Sequence, residues 1–138
     1  MSEYYLNTTE VADDPKVIEQ EMNAFLSSSA GEAGKISLRN QGGFAVKLDF
    51  VVKGEHGQST RVSGDRKNIT LGKTRVLDPG DYDVPDGAIV TVYADVFWGS
   101  DNTAQTWLKY KKGSSVTGAY VITGTTLNNQ LGFMGFEK

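Results

Sequence analysis

Residues 44–53 read FAVKLDFVVK. Phe44, Val46, Leu48, Phe50 and Val52 share one phase of a two-residue period, and Ala45, Lys47, Asp49, Val51 and Lys53 share the other. An extended backbone sends successive side chains to opposite faces, so this pattern makes a strand with one apolar face. Such a face is stable only against a second layer, which commits the chain to packed sheets. The period recurs elsewhere. Ile36 and Leu38 alternate with Lys35, Ser37 and Arg39, and in 88–98 Val90, Val92, Ala94, Val96 and Trp98 fall on one face. In 104–111, Leu108 and Tyr110 share a phase, while Trp107 keeps step with Gln105, Lys109 and Lys111. Shorter strands are predicted at 59–62, 68–71, 73–77, 116–123 and 130–137. Turn chemistry separates them: Asn40-Gln41-Gly42-Gly43, Gly54-Glu55-His56-Gly57, Asp78-Pro79-Gly80-Asp81 and Val84-Pro85-Asp86-Gly87. The expectation is a mainly β domain over 34–138, an antiparallel β-sandwich of about eight strands.

The first 33 residues differ in kind. They hold seven acids against one base, whereas 34–138 hold ten acids and thirteen bases. Within this acidic arm, Asp14 suits a helix cap and Pro15 the first helical position. Val17, Ile18, Met22, Phe25 and Leu26 then form an apolar stripe, which predicts an amphipathic helix over 15–28. Ser27-Ser28-Ser29-Ala30-Gly31 reads as its end and a linker.

Several function classes lack their chemistry. There is no cysteine and a single histidine, His56, set in a glycine-flanked turn without a nucleophile motif. Neither a GxSxG elbow, nor HExxH, nor a phosphate-binding glycine loop is present. The expectation is a protein that is not an enzyme and carries no cofactor or metal. Asp78, Asp81, Asp83 and Asp86 crowd one segment, but aspartate in serial turns is explained by backbone hydrogen bonding as well as by calcium. A net charge of −3 argues against a nucleic-acid partner. The leading residues carry no basic and apolar regions of a secretory signal, and no apolar run approaches the ~18 residues of a membrane span. Location is then expected to be cytoplasmic, or reached by release without such a signal.

The two tryptophans bracket the loop FWGSDNTAQTW, residues 97–107. Odd-even counting puts Trp98 in the core and Trp107 on a solvated face beside Lys109 and Lys111. An indole among cations suits two ligands: sugar rings, which stack on it, and bilayer interfaces, which accept it at headgroup level. The candidate binding residues are therefore Trp107, Lys109 and Lys111, with Tyr93 and Phe97 on the same alternation and Asp101 and Asn102 in the loop. An alternative is that Trp107 packs beneath the N-terminal helix, whose stripe needs an apolar surface.

Taken together, the cysteine-free β body, the strand FAVKLDFVV, the aromatic segment VFWGSDNTAQTWLKY and the amphipathic helix resemble small β-sandwich proteins of the aegerolysin and actinoporin-like kind. The likeness is one of architecture and brings no site residues with it. An actinoporin-like chain would insert residues 15–28 into a bilayer. The resemblance implies a cytolysin- or lectin-like protein whose partner is a glycan or a membrane lipid headgroup. The other expectation is an assembly module, a homo-oligomer docked through its N-terminal helix.

Overall fold

The computed structural model describes residues 29–54 and 56–138. The helix expected over 15–28, and the oligomer contact assigned to it, lie outside these residues. Among the described residues there are ten strands: β1 (Glu32–Ala33), β2 (Lys35–Gly42), β3 (Val46–Lys53), β4 (Ser59–Val62), β5 (Thr74–Leu77), β6 (Ile89–Val96), β7 (Asn102–Thr103), β8 (Leu108–Tyr110), β9 (Thr117–Gly124) and β10 (Asn129–Glu137). They form two sheets. The first runs β1-β8-β6-β3-β4, with β7 also paired to β6, and the second runs β10-β9-β2-β5.

The β class and the two-layer architecture agree with the alternation, but the sheets are mixed rather than antiparallel. β1 lies parallel to β8, and β2 lies parallel to β9 over its full length, from Lys35↔Thr117 to Gly42↔Gly124. Local patterning records which face of a strand is buried. It does not record which distant strand lies beside it. The two short strands β1 and β7 account for most of the excess over the expected count.

Between the sheets sits one apolar core. Ile36 and Leu38 from β2, Val46, Leu48 and Phe50 from β3, Val90, Val92 and Ala94 from β6, and Leu108, Tyr110, Tyr120 and Ile122 from the later strands are all buried in it. These are the apolar phases of their strands, so the period-two rule assigned the inward face correctly along β2, β3, β6 and β8.

Three local corrections have distinct causes. The segment 40–43, expected as a turn, continues β2 to Gly42. Asn40 is buried there, and its amide Nδ2 donates to Ile69 O at 2.8 Å and to Phe44 O at 2.5 Å, while Oδ1 accepts from Gly42 N at 2.8 Å. A fully bonded amide behaves as a strand residue, whatever its turn propensity. The expected strand at 68–71 reduces to a single bridge between Ile69 and Val46. The expected strand at 104–111 keeps only Leu108–Tyr110. Just before it the chain is held by side chains instead: Thr106 O accepts from Thr91 Oγ1 at 2.6 Å and from Tyr120 Oη at 2.7 Å.

The aspartate-rich stretch builds turns. Asp78 caps a 3-10 helix, Pro79–Tyr82, by accepting from Gly80 N, and also accepts from Tyr110 Oη at 2.5 Å. Asp86 accepts from Lys112 N at 2.9 Å. No group of three metal-ligating side chains occurs among the described residues.

Candidate functional site: a cluster of apolar loop tips

The residues singled out from the sequence do not converge on one point. On the outer face of the first sheet, Lys109 lies opposite Ile89 and Tyr93 lies opposite Asp49 and Thr103. Phe97 follows the last residue of β6. The eight steps from the Ile89 level to Phe97 span about 26 Å of extended chain. Trp107, Lys109 and Lys111 belong to one end of this face, Phe97, Asp101 and Asn102 to the other, and Tyr93 lies between.

At the first end two of the three expected ligand groups are engaged within the protein. Trp107 is half-buried, with Lys53 Nζ 4.8 Å above its ring. Lys109 Nζ lies 3.7 Å from Glu32 Oε2. Lys111 is exposed.

The second end holds the surprise. Trp98, expected in the core, is 86% exposed. β6 stops at Val96, and Trp98 takes a left-handed φ of 54°, which turns it out of the strand before the alternation can carry it inward. Its indole stacks on Phe97, itself 50% exposed, with ring centroids 4.8 Å apart and planes 16° from parallel. The turn is tightly anchored. Phe97 N donates to Ala45 O, Gly99 N to Val96 O, and Ser100 N to Thr126 O. A Cβ on Gly99 would come within 2.3 Å of Thr126 O, so only glycine fits there. Asp101 secures the base of the loop: Oδ1 accepts from Val96 N at 2.9 Å and Oδ2 accepts from Tyr93 Oη at 2.7 Å. The Tyr93 phenol is raised above its ordinary pKa by that bond first and by burial second. Asn102 Nδ2 donates to Asn129 Oδ1 at 2.9 Å, and Asn129 Nδ2 donates to Ser100 O at 2.8 Å.

Two further loops share this end of the sandwich, because β2 and β9 run parallel to finish here and β5 and β10 begin here. In residues 125–128 the backbones of Thr125 and Asn128 bond to each other, and Leu127 at the apex is 75% exposed. In residues 70–73, Lys73 N donates to Thr70 O and Gly72 N donates to Asn40 O, leaving Leu71 64% exposed. Gly43 N donates to Gly124 O, which ties the β2–β3 turn to the same cluster. Three backbone-locked loops at this end of the sandwich thus expose Leu71, Phe97, Trp98 and Leu127 to water.

Below this tip, a charge network braces the first sheet. Asp49 is fully buried, and its Oδ2 accepts from Arg61 NH2 at 2.7 Å and from Arg66, while Oδ1 accepts from Gly64 N at 2.9 Å. Arg66 NH2 also donates to Asp95 Oδ2 at 2.7 Å. Burial pushes the Asp95 carboxyl up, but the Arg66 hydrogen bond and the charges of Arg66, Arg61 and Lys47 outweigh it and hold the group below its ordinary value. Arg61 lies 4.0 Å above the Tyr93 ring. The network therefore reaches, through Tyr93 and Asp101, the loop that carries Trp98.

Odd-even counting missed Trp98 because it ran the strand two residues too far. The signal that stops it is the turn-forming Gly99-Ser100-Asp101-Asn102 immediately afterwards. Leu127 carries a similar signal, being a lone leucine among Thr and Asn, whereas Leu71 keeps step with Ile69 and reads from the sequence as part of a strand at 68–71.

No protein-family model matches the chain, and no curated protein matches it in sequence. Among solved structures it is similar to listeriolysin O (20% identity, TM-score 0.44, covering 74% of this chain and 22% of that one). It is also similar to pneumolysin (17% identity, TM-score 0.40, 74% and 23%) and to intermedilysin in a structure with human CD59 (14% identity, TM-score 0.41, 75% and 24%). These neighbours are cytolysins, toxins of a β-rich fold, and the aegerolysins and actinoporins suggested by the sequence are not named among them. The chain spans 22–24% of the length of these structures.

Proposed function

We propose that the protein is a non-enzymatic membrane-docking module that seats its loop end in the interface of a lipid bilayer. The observation that carries this reading is the exposure of Leu71, Phe97, Trp98 and Leu127 on three loops at one end of the sandwich. Exposed apolar side chains gathered at one end of a domain mark a binding site, and the other large apolar side chains exposed among the described residues, Val76, Met134 and Phe136, lie on β5 and β10 instead. Indole is the side chain best suited to the headgroup level, and leucine to the acyl boundary beneath it. An indole presents on the order of 200 Å². At roughly 25 cal/mol per Å², withdrawing even half of it from water contributes about 2–3 kcal/mol to docking.

A sugar would use the cluster less fully. Stacking on Trp98 needs polar partners alongside, and both oxygens of Asp101 already accept bonds from within the protein. The two leucines would have no part in such a site.

The test is co-sedimentation of the full chain with vesicles that contain both phosphatidylcholine and phosphatidylserine. Trp98→Ala should weaken binding about thirtyfold to a hundredfold, in line with 1.4 kcal/mol per decade, and the wild-type indole emission should shift to the blue and lose its iodide quenching on vesicles. Wild-type chain that stays in the supernatant, or a triple Leu71→Ser, Trp98→Ser, Leu127→Ser variant that binds like wild type, would overturn the reading. So would a glycan bound in solution with its affinity lost in Trp98→Ala.

A further inference from the structure

The docking reading leaves the kind of bilayer open, and the charges around the tip address it. In the half of the sandwich next to the loops, the acids are already matched. Asp49 and Asp95 are held by Arg61 and Arg66, and Asp65 is held by Arg75, with Arg75 Nε donating to its Oδ2 at 2.7 Å. Asp101 spends its two oxygens on Val96 N and Tyr93 Oη.

The cations there outnumber the acids left over. Lys73 sits in the same turn as Leu71 and is exposed. Arg39, also exposed, pairs in register with Thr74, one residue beyond Lys73. Lys67 is exposed two residues before Ile69, which bridges to the tip end of β3 at Val46. Lys47 follows Val46 and lies opposite Asp95, whose carboxylate Arg66 already occupies. None of these four cations makes an ion pair among the described residues. The opposite end of the sandwich carries both signs, with Asp78, Asp81, Asp83 and Asp86 following β5 and Lys109, Lys111 and Lys112 in and after β8.

We infer that the tip selects bilayers rich in anionic phospholipid, with Arg39, Lys47, Lys67 and Lys73 forming a basic collar around the apolar loops. This rests on the docking reading and adds the headgroup class. The chain as a whole carries −3, so its net charge would repel an anionic surface. Attraction has to come from local charge brought within a Debye length of the surface, about 10 Å at 0.1 M salt. A Lys or Arg near such a surface contributes on the order of 1 kcal/mol, so two of them correspond to about 30-fold in partitioning.

The experiment compares the full chain on vesicles of phosphatidylcholine alone and of phosphatidylcholine with phosphatidylserine. Binding should be stronger to the anionic vesicles by about 30-fold or more and should fall as salt is raised. The Lys67→Gln, Lys73→Gln double variant should remove most of that preference while leaving binding to neutral vesicles within roughly threefold of wild type. Lys109→Gln with Lys111→Gln, at the far end of the sheet, should leave both unchanged. Circular dichroism checks that both double variants keep the fold. Equal binding to the two vesicle types, with Trp98→Ala still weakening both, would overturn the anionic preference and leave docking standing. Loss of the preference in the Lys109, Lys111 variant, but not in the Lys67, Lys73 variant, would overturn the placement of the collar. Absence of binding to either vesicle would overturn docking itself and the preference with it.

Discussion

One of the two tryptophans leaves the environment that alternation assigns it, and the other is half covered on its own face. Trp98 stands in water on a left-handed backbone, and Trp107 is half-buried beneath Lys53. Emission should therefore separate by residue. Trp98→Phe should move the spectrum to the blue and remove most iodide quenching, while Trp107→Phe should keep a red, quenchable signal. Quenching lost in the Trp107 variant and retained in the Trp98 variant would contradict the structure. The reason the sequence misleads here is local. Counting by twos has no stop signal of its own, so one positive φ shifts every inference after it. Where the backbone stays extended, the same counting is accurate, as Leu108 and Tyr110 in the core and Lys109 on the opposite face show. Of the candidate residues, Phe97, Asp101 and Asn102 lie at the tip and Tyr93 joins it through Asp101, but the sequence groups them with Trp107, Lys109 and Lys111. Leu71 and Leu127 are not among the candidates, because Leu71 falls in the strand expected at 68–71 and a loop residue such as Leu127 carries no periodicity.

At the scale of elements, β3, β4 and β6 are joined on one face by a buried carboxylate and two arginines. The pairing is asymmetric, since Asp49 is wholly buried while the Arg61 and Arg66 side chains are each 41% exposed. Removing the arginines strands a charge in a dry site, whereas removing the acid leaves cations that water can reach. The Arg61→Met, Arg66→Met double variant should lose about 3–5 kcal/mol of stability in urea unfolding. Asp49→Asn should lose only about 1–2 kcal/mol, because the amide keeps an acceptor and the guanidiniums rehydrate. Equal losses would show that the buried charge is not what makes the site sensitive. The residues of this network were visible in the sequence, with Asp49 and Asp95 falling on the polar phases of their strands. Their burial was not, because the 63–67 segment that brings Arg66 over the sheet has no periodic pattern to announce it. Mixed pairing was equally hidden. β2 shows its apolar phase plainly, yet nothing within it names β9 as a neighbour or sets the parallel direction.

For the molecule as a whole, the core's two bonded phenols predict how the fold responds to alkali. Burial first, and then the hydrogen bond donated to Asp78, push the Tyr110 phenol up to about 12. Burial pushes Tyr120 up to about 12 against the opposing influence of the neighbouring Thr91 hydroxyl. Both start from 10.0, so the unfolded chain ionises these groups before the folded one does. Their contribution is complete below pH 10 and is lost as pH rises toward 12. Chemical denaturation should show stability falling across that window. Replacing Tyr120 with Phe should flatten the fall, and an unchanged slope would count against a buried, protonated Tyr120. The parallel β2–β9 ladder has a temporal consequence as well. About 75 residues separate the end of β2 from the start of β9, several seconds of synthesis at roughly 5–20 residues per second. Throughout that interval a nascent chain can zip β3, β4 and β6 together, but β2 has only β5 for company and the apolar face of the first sheet has no lid. With so many of its contacts bridging distant positions, this sandwich closes only after its final strands leave the ribosome, and it closes slowly.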